Sequence, residues 1–481
     1  MRIKPVLSVL GFLIAIVGAL MLTALPFSLY FGDTDVTPIL HSSLITMLTG
    51  GVIWLTFRRF EGELRVREGF AIVTLGWASI ALFGSLPFYL SDAIPVFTDA
   101  YFESISGLTT TGASILTDVE SLPHGVLYWR SFTHWIGGMG IILLSVAILP
   151  LLGVGGMELF KAEAPGIVVD KLSPRVSGTA KILWGVYIVM TVVQTGLLWY
   201  GGMTFFDALC HSYGTVATGG YSTKNASIAY YDSPFLQYVI ITFMFIAGTS
   251  FTLHFRALRG EWNSYARDNE FVFYTLTVLV ASVIIMIVLP SGAAESWEER
   301  IRISLFQVVS IITTTGYVTA DYELWVPMAQ LTLLLLMFNG GSAGSTAGGM
   351  KIVRVMLLLK NGLVEIKRAI HPKAIMPVRF NGHSVSSGII GEIMAFFVLY
   401  ITIFVIASLA MTAVGLDLLS AIGSVASALG NVGPALGSVG PIDNYAHVSE
   451  AGKWILAFCM LVGRLEIFTV FVLFSRAFWR A

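Results

Sequence analysis

The sequence predicts an all-α polytopic membrane protein, and three observations carry that prediction. Of 481 residues, 56% are hydrophobic and only 12% charged, with a mean hydropathy of +0.81; soluble domains carry about 25% charged residues. Apolar runs near the roughly 20 residues needed to cross a bilayer recur along the chain. A short glycine-ending segment also recurs four times: Thr109-Thr110-Thr111-Gly112, Ala217-Thr218-Gly219-Gly220, Thr313-Thr314-Thr315-Gly316 and Gly430-Asn431-Val432-Gly433. The net charge of −1 gives no reason to expect nucleic acid. Cys210 and Cys459 are too far apart in sequence, in apolar surroundings, to suggest a disulfide or metal site.

The elements follow in order. Residues 1–65 hold a leading pair of spans, 6–30 and 39–57. The first follows Arg2 and Lys4 as a signal peptide would, but its length, the lack of a small-residue cleavage site and the spans behind it make it a retained helix. Four repeats follow: 66–155, 156–262, 263–380 (with a broken second helix) and 381–481. Their candidate spans are 70–90, 126–152, 182–200, 235–255, 271–290, 323–338, 389–414 and 453–475, of which 323–338 is the shortest. Basic residues collect in alternate loops, at Arg58, Arg59, Arg65 and Arg67, then Lys161, Lys171, Arg175 and Lys181, then Arg256, Arg259 and Arg267, then Lys351 to Lys373. The positive-inside rule puts these loops and both termini in the cytoplasm, with the four glycine segments opposite. Arg300 and Arg302 run against the pattern, amid Glu295, Glu298 and Glu299.

The periodicity extends beyond the glycines. Twelve residues before each lies a small residue: Ala100, Ala208, Ser304 and Ala421. Asp99 with Ser104, and Asp207 with Ser212, match at identical offsets, and the two aspartates are expected as N-caps. The intervening residues suffice for a half-membrane helix. Its C-terminal end carries about half a negative charge and favours a cation at mid-membrane. The glycine admits torsions that turn carbonyls toward an axis, and irregular backbone at that depth is tolerated only when buried or lining a cavity. The expected architecture is therefore two leading helices plus four pseudo-fourfold helix–pore loop–helix repeats around a central ion pore. The bland alternative is four Gly/Thr-rich turns between helices.

The stretches FESISGLTTTGAS (102–114), WRSFTHWIGGMGI (129–141), NGGSAGSTAGGMK (339–351), GNVGPALG (430–437) and VGRLEIFTV (462–470) touch all four repeats. With the leading pair, they make the whole chain resemble the Trk/Ktr/HKT superfamily of potassium transporters, most closely its bacterial TrkH type. The resemblance implies a potassium-selective uptake channel or transporter subunit, multi-pass in the bacterial inner membrane and homodimeric. It also implies a cytosolic ring of nucleotide-binding, TrkA-like regulatory subunits, so that ATP, ADP or NAD acts only through that partner and no cofactor is covalently bound. Carried onto this chain, the selectivity filter is Thr110, Thr111 and Gly112; Thr218, Gly219 and Gly220; Thr314, Thr315 and Gly316; and Asn431, Val432 and Gly433. Potassium is expected at these residues only, on backbone carbonyls with threonine hydroxyls contributing. The segments differ among repeats, so a sodium-coupled or sodium-permeable member of the superfamily is the nearest alternative.

The third repeat's second span is broken by Gly340, Gly341, Ser342, Ala343, Gly344, Ser345, Thr346, Ala347, Gly348 and Gly349. Glycine costs about 1 kcal/mol against alanine in a helix, so a continuous helix is a poor description. The resemblance makes this stretch an intramembrane gate below the filter. A phosphate-binding loop lacks its preceding strand and the Ser/Thr after Lys351; close packing through small residues stays open. Arg464 lies within an apolar span with no counter-charge at Met460 or Phe468, so it faces the interior or water. The resemblance makes it an electrostatic barrier; a structural arginine on carbonyls of another helix is the alternative. Glu103 and Glu392 are expected against protein or water, and Arg130 and His134 as structural or rim groups. No catalytic acid–base pair or nucleophile emerges, which argues against an enzyme; a receptor or scaffold leaves the repetition unexplained.

Overall fold

The computed structural model describes residues 2–59, 64–140, 176–290 and 292–479. Among them the secondary structure is helical apart from one two-stranded hairpin, Arg379–Phe380 against His383–Ser384. Its turn is Asn381-Gly382, with φ of 47° and 81°, the pair of left-handed residues that a tight hairpin requires.

Six helices are long and apolar enough to cross a membrane: Ile3–Phe31, Val36–Phe57, Val66–Leu90, Lys181–Tyr200, Asn269–Val288 and Ser387–Ala413. The first two pack antiparallel through small residues. A Cβ on Gly11 would lie 2.8 Å from the Gly50 carbonyl oxygen, and one on Gly50 would lie 2.4 Å from the Ala15 nitrogen. Backbones that close need glycine on both sides. Ser43 Oγ adds a 2.7 Å bond to the Gly18 carbonyl.

Each of the other four long helices leads into a short one: Phe97–Leu108, Phe205–Val216, Trp297–Ile312 and Leu418–Gly430. At 1.5 Å per residue these are about 18–24 Å long, short of the roughly 30 Å hydrocarbon layer. Their faces are inverted relative to a soluble protein. Thr110, Ser304, Gln307, Ser424 and Asn431 are buried, while Leu276, Val280, Ile287, Val398 and Leu409 lie exposed on the long helices, as lipid contact demands.

Several expected elements take a different form. Asp99 is not an N-cap: the first short helix starts after Val96, and Asp99 sits in its first turn, bound to Lys453 Nζ at 2.6 Å. Asp207 likewise sits in the first turn behind the true cap, Thr204, whose hydroxyl accepts the Asp207 amide at 3.0 Å. Carboxylates in a first turn are still favourable beside the free amides. The run at 235–255 is not one straight span but Pro234–Ala247 and Phe251–Leu258, bent by 101°. The run at 453–475 divides into Glu450–Arg464 and Ile467–Phe474, bent by 115°, so Arg464 ends a helix rather than sitting mid-span. The helix from the 323–338 run is Pro327–Asn339, only 13 residues. The one from 126–152 covers His124–Gly138; residues 141–152 of that run lie outside the described residues, as do Lys161, Lys171 and Arg175.

Candidate functional site

The four short helices end in the same way. The amides of Thr111, Gly219, Thr315 and Val432 reach back to the carbonyls of Ser106, Gly214, Ser310 and Ser427 at 2.9, 2.7, 2.9 and 2.9 Å. This is the closure made when the preceding residue is left-handed. That residue is Thr110, Thr218, Thr314 or Asn431, with φ of 54°, 55°, 57° and 54°. The closing glycines Gly112, Gly220, Gly316 and Gly433 follow at 81°, 82°, 79° and 98°. Helices usually place Gly, sometimes Asn, at the first left-handed position. Threonine is β-branched and costs of order 1–3 kcal/mol there, a strain found where surrounding structure and function hold it.

The segments form a closed ring. A Cβ on Gly112 would lie 2.1 Å from the Gly219 carbonyl oxygen, one on Gly220 1.9 Å from that of Thr315, and one on Gly316 2.0 Å from that of Val432. One on Gly433 would lie 2.6 Å from that of Thr111. Only hydrogen fits at these approaches. The amides turn back into the short helices, and no backbone amide among the described residues donates to the carbonyls of Thr110, Thr111, Thr218, Gly219, Thr314, Thr315, Asn431 or Val432. All eight residues are buried. Buried carbonyls require a partner, and a ring of them is suited to a desolvated cation. The glycines open on the other side into a cavity that is also lined by Ser114, Asn225 and Asn444.

Threonine hydroxyls serve two directions. Thr109 and Thr111, like Thr313 and Thr315, pair with each other at 2.8 Å. Thr110 Oγ1 instead accepts from Arg464 Nη1 at 3.1 Å, and Thr314 Oγ1 accepts the Gly348 amide at 2.7 Å. The second segment has Ala217 and Gly219 where the first has hydroxyls, and the His134 ring fills the space, 2.4 Å from a Cβ on Gly219. His134 Nε2 accepts the Tyr221 amide at 3.1 Å, which leaves Nδ1 to donate to the Gly107 carbonyl at 2.7 Å.

The glycine-rich stretch lies against the ring on the side of Arg464. A Cβ on Gly348 would meet the Gly430 carbonyl at 2.5 Å and Asn431 Cβ at 2.8 Å; one on Gly340 would strike the Gly348 carbonyl at 2.2 Å. Gly341 packs against Gly248, whose carbonyl accepts the Ser342 amide at 2.8 Å. Thr346 Oγ1 bonds the carbonyls of Val216 and Ala247 at 3.0 and 3.2 Å. Gly344 and Ser345 sit apart from the ring, Gly344 exposed, its carbonyl receiving the Phe251 amide at 3.0 Å. Gly349 and Lys351 are left-handed, with φ of 71° and 65°, and the Lys351 ammonium bonds the Ala347 carbonyl. Arg464 clamps the assembly, donating to the carbonyls of Thr346 at 2.7 Å, Gly137 at 2.6 Å and Gly138 at 2.9 Å.

A family model for TrkH, described as a cation transport protein, matches residues 36–480. The chain belongs to the TrkH family. It is 41% identical over 484 residues to the Trk system potassium uptake protein TrkH of Salmonella typhimurium, covering 100% of both chains. It is 33% identical to the TrkG protein of Escherichia coli, over 100% of this chain and 99% of that one. The crystal structure of the potassium transporter TrkH from Vibrio parahaemolyticus superposes with a TM-score of 0.88 at 37% identity, with 100% of each chain covered. This TrkH-family chain is thus a multi-pass membrane protein for cation transport.

Sequence reasoning missed the shell behind the ring. Arg130, 3% exposed, is the structural group of its two expected readings and not a rim charge. Its Nε bonds buried Glu103 at 2.7 Å, Nη1 bonds the Ser222 carbonyl at 3.0 Å, and its guanidinium lies 3.5 Å from the Tyr221 ring centre. Glu103 also receives the Ser114 hydroxyl and the Ile115 amide at 2.9 and 3.0 Å. His211, at the same offset from its glycine, bonds Ser222 Oγ at 2.9 Å. Glu103 and His211 differ in type but share a register, the one signal that would have exposed them. Glu392 is exposed.

Proposed function

We propose that this chain is the pore-forming subunit of a potassium uptake system, a transporter rather than an enzyme. The observation that carries the reading is the closed ring of eight buried carbonyls to which no backbone amide among the described residues donates. A cation that has shed its water satisfies those oxygens, and rings of backbone carbonyls are how potassium pores replace the hydration shell. The filter residues are then Thr110, Thr111 and Gly112, Thr218, Gly219 and Gly220, Thr314, Thr315 and Gly316, and Asn431, Val432 and Gly433. The left-handed residues turn successive carbonyls to the axis, and the four short helices direct their negative ends at it.

Gly340, Gly341, Thr346, Gly348 and Gly349 form the gate that closes the path on the Arg464 side, with Gly344 and Ser345 at its outer tip. Support comes from the bond of Gly348 to Thr314 and from the clamp of Arg464 on Thr346 and Thr110. Movement of this loop would free the underside of the ring. The chain lies in a bacterial inner membrane with both termini in the cytoplasm and the cavity outside; the alternate basic loops support that orientation. A homodimer with a cytosolic ring of nucleotide-binding regulatory subunits completes the system in this reading.

The test is the bi-ionic reversal potential of the purified chain, potassium against sodium. A strong preference for potassium is expected. A permeability ratio near one would favour the sodium-permeable alternative, and no cation current from well-inserted protein would overturn the pore.

A further inference from the structure

The seams between neighbouring repeats are not bridged alike. Tyr221 and Tyr317 directly follow the ring glycines Gly220 and Gly316. Tyr221 Oη crosses to the preceding repeat and donates to the Glu103 carbonyl at 2.8 Å. Tyr317 Oη makes the same crossing one repeat on, donating to the His211 carbonyl at 3.0 Å. Glu103 and His211 each lie nine residues before their own ring glycine, so the two bonds are equivalent by position as well as by chemistry. Both rings are completely enclosed, 1% and 0% exposed. Tyr221 is further fixed by the Arg130 guanidinium on its face and by His134 on its amide.

The remaining seams lack a hydroxyl at this position, because Pro434 and Ala113 follow the other two glycines; at the seam of repeats three and four the buried Tyr322 hydroxyl instead donates to the Ala435 carbonyl at 2.9 Å. At the seam of repeats three and four, Pro434 Cδ lies 2.7 Å from where a Cβ on Gly316 would be. At the seam of repeats four and one, Asn431 Nδ2 bonds Thr111 Oγ1 at 3.0 Å, and the Tyr445 amide bonds the Ser114 carbonyl at 2.8 Å. Repeats one, two and three are therefore joined by identical struts immediately beside the ring, and the fourth is attached by different contacts.

We propose that Tyr221 and Tyr317 are positioning residues for ion selection: paired hydroxyl struts that hold the ring segments of repeats one to three at the spacing that favours one cation over another. The inference rests on the ring being the ion filter. Carbonyls discriminate between ions through their number and arrangement around the site, and packed interiors transmit small shifts rather than absorb them. Removing either hydroxyl leaves every carbonyl of the ring in place but takes away one bond across its seam.

The experiment measures the potassium-to-sodium permeability ratio of wild type, Tyr221→Phe, Tyr317→Phe and the double variant in bilayers, with thermal unfolding followed in detergent. Each single variant is expected to lower the ratio at least threefold and the double variant further, with unfolding temperature nearly unchanged. A purely structural role would move the unfolding temperature and not the ratio. Ratios equal to wild type, a change at only one position, or unfolding of both variants would overturn the strut assignment. A wild-type ratio near one would instead refute the filter reading and remove the inference with it.

Discussion

Replacing Arg464 with alanine tests the proposed gate where loop and ring meet one side chain. The guanidinium holds the Thr346 carbonyl of the loop at 2.7 Å while its other bonds go to Thr110 of the ring and to Gly137 and Gly138. The Thr346 bond joins the loop to Arg464, and it is among the contacts that opening must break. A hydrogen bond from a charged donor contributes about 1.5–3 kcal/mol net. At tenfold per roughly 1.4 kcal/mol, losing it raises the open-to-closed ratio about 10- to 150-fold. Loss of the positive charge beside the ring acts in the same direction for a cation. Rubidium uptake into liposomes holding the purified chain alone would report this as a rise of at least tenfold over wild type. Arg464→Lys separates the two effects, since it keeps the charge but not the planar fork that reaches several carbonyls; its uptake should fall between. Uptake by Arg464→Ala within twofold of wild type, from protein that inserts normally, would refute the reasoning and return Arg464 to a structural role.

Further outcomes follow from the same contacts. Gly112→Val, Gly316→Val or Gly433→Val places carbon 2.0–2.6 Å from a neighbouring ring carbonyl, so rubidium uptake should fall to below about a hundredth while membrane insertion is preserved; normal uptake in all three would remove them from the path. Glu270, on the long helix of repeat three, accepts the Ala343 amide at 2.6 Å, so Glu270→Ala should loosen the loop and raise unpartnered uptake several-fold, whereas Glu270→Gln, which keeps an acceptor, should stay nearer wild type. Arg130→Ala leaves Glu103 as an uncompensated buried charge, a loss of about 3–5 kcal/mol, which thermal unfolding in detergent would register as a large downward shift.

What was legible in the sequence is what backbone sterics write into residue type. The four closing glycines stood out because positive φ beside a neighbouring carbonyl admits little else, and the break at 340–349 stood out because so much glycine is incompatible with a helix. The left-handed residues before them did not. Threonine gives no sign of that conformation, and only the register shared with Asn431 reveals it. The bends differ: Gly248 lies at the first, whereas at Leu465-Glu466 no glycine or proline marks the turn, and Glu466 adopts φ of 57° there with its carboxylate paired to Arg354. Asp99 and Asp207 were placed one turn early, since a first-turn carboxylate and an N-cap carry the same charge signature. Arg130 stood open between a structural and a rim role because its partners, Glu103 and Tyr221, come from two different repeats, which only the assembled ring brings together.

The central claim, that the carbonyl ring holds a dehydrated potassium-sized ion, is tested most directly by anomalous diffraction from crystals grown in rubidium and, separately, in sodium. Rubidium density should lie on the axis of the ring between the carbonyls of residues 110–111, 218–219, 314–315 and 431–432, and no equivalent ion density should appear there in sodium. An empty ring in rubidium, with the ion bound elsewhere or not at all, would contradict the account.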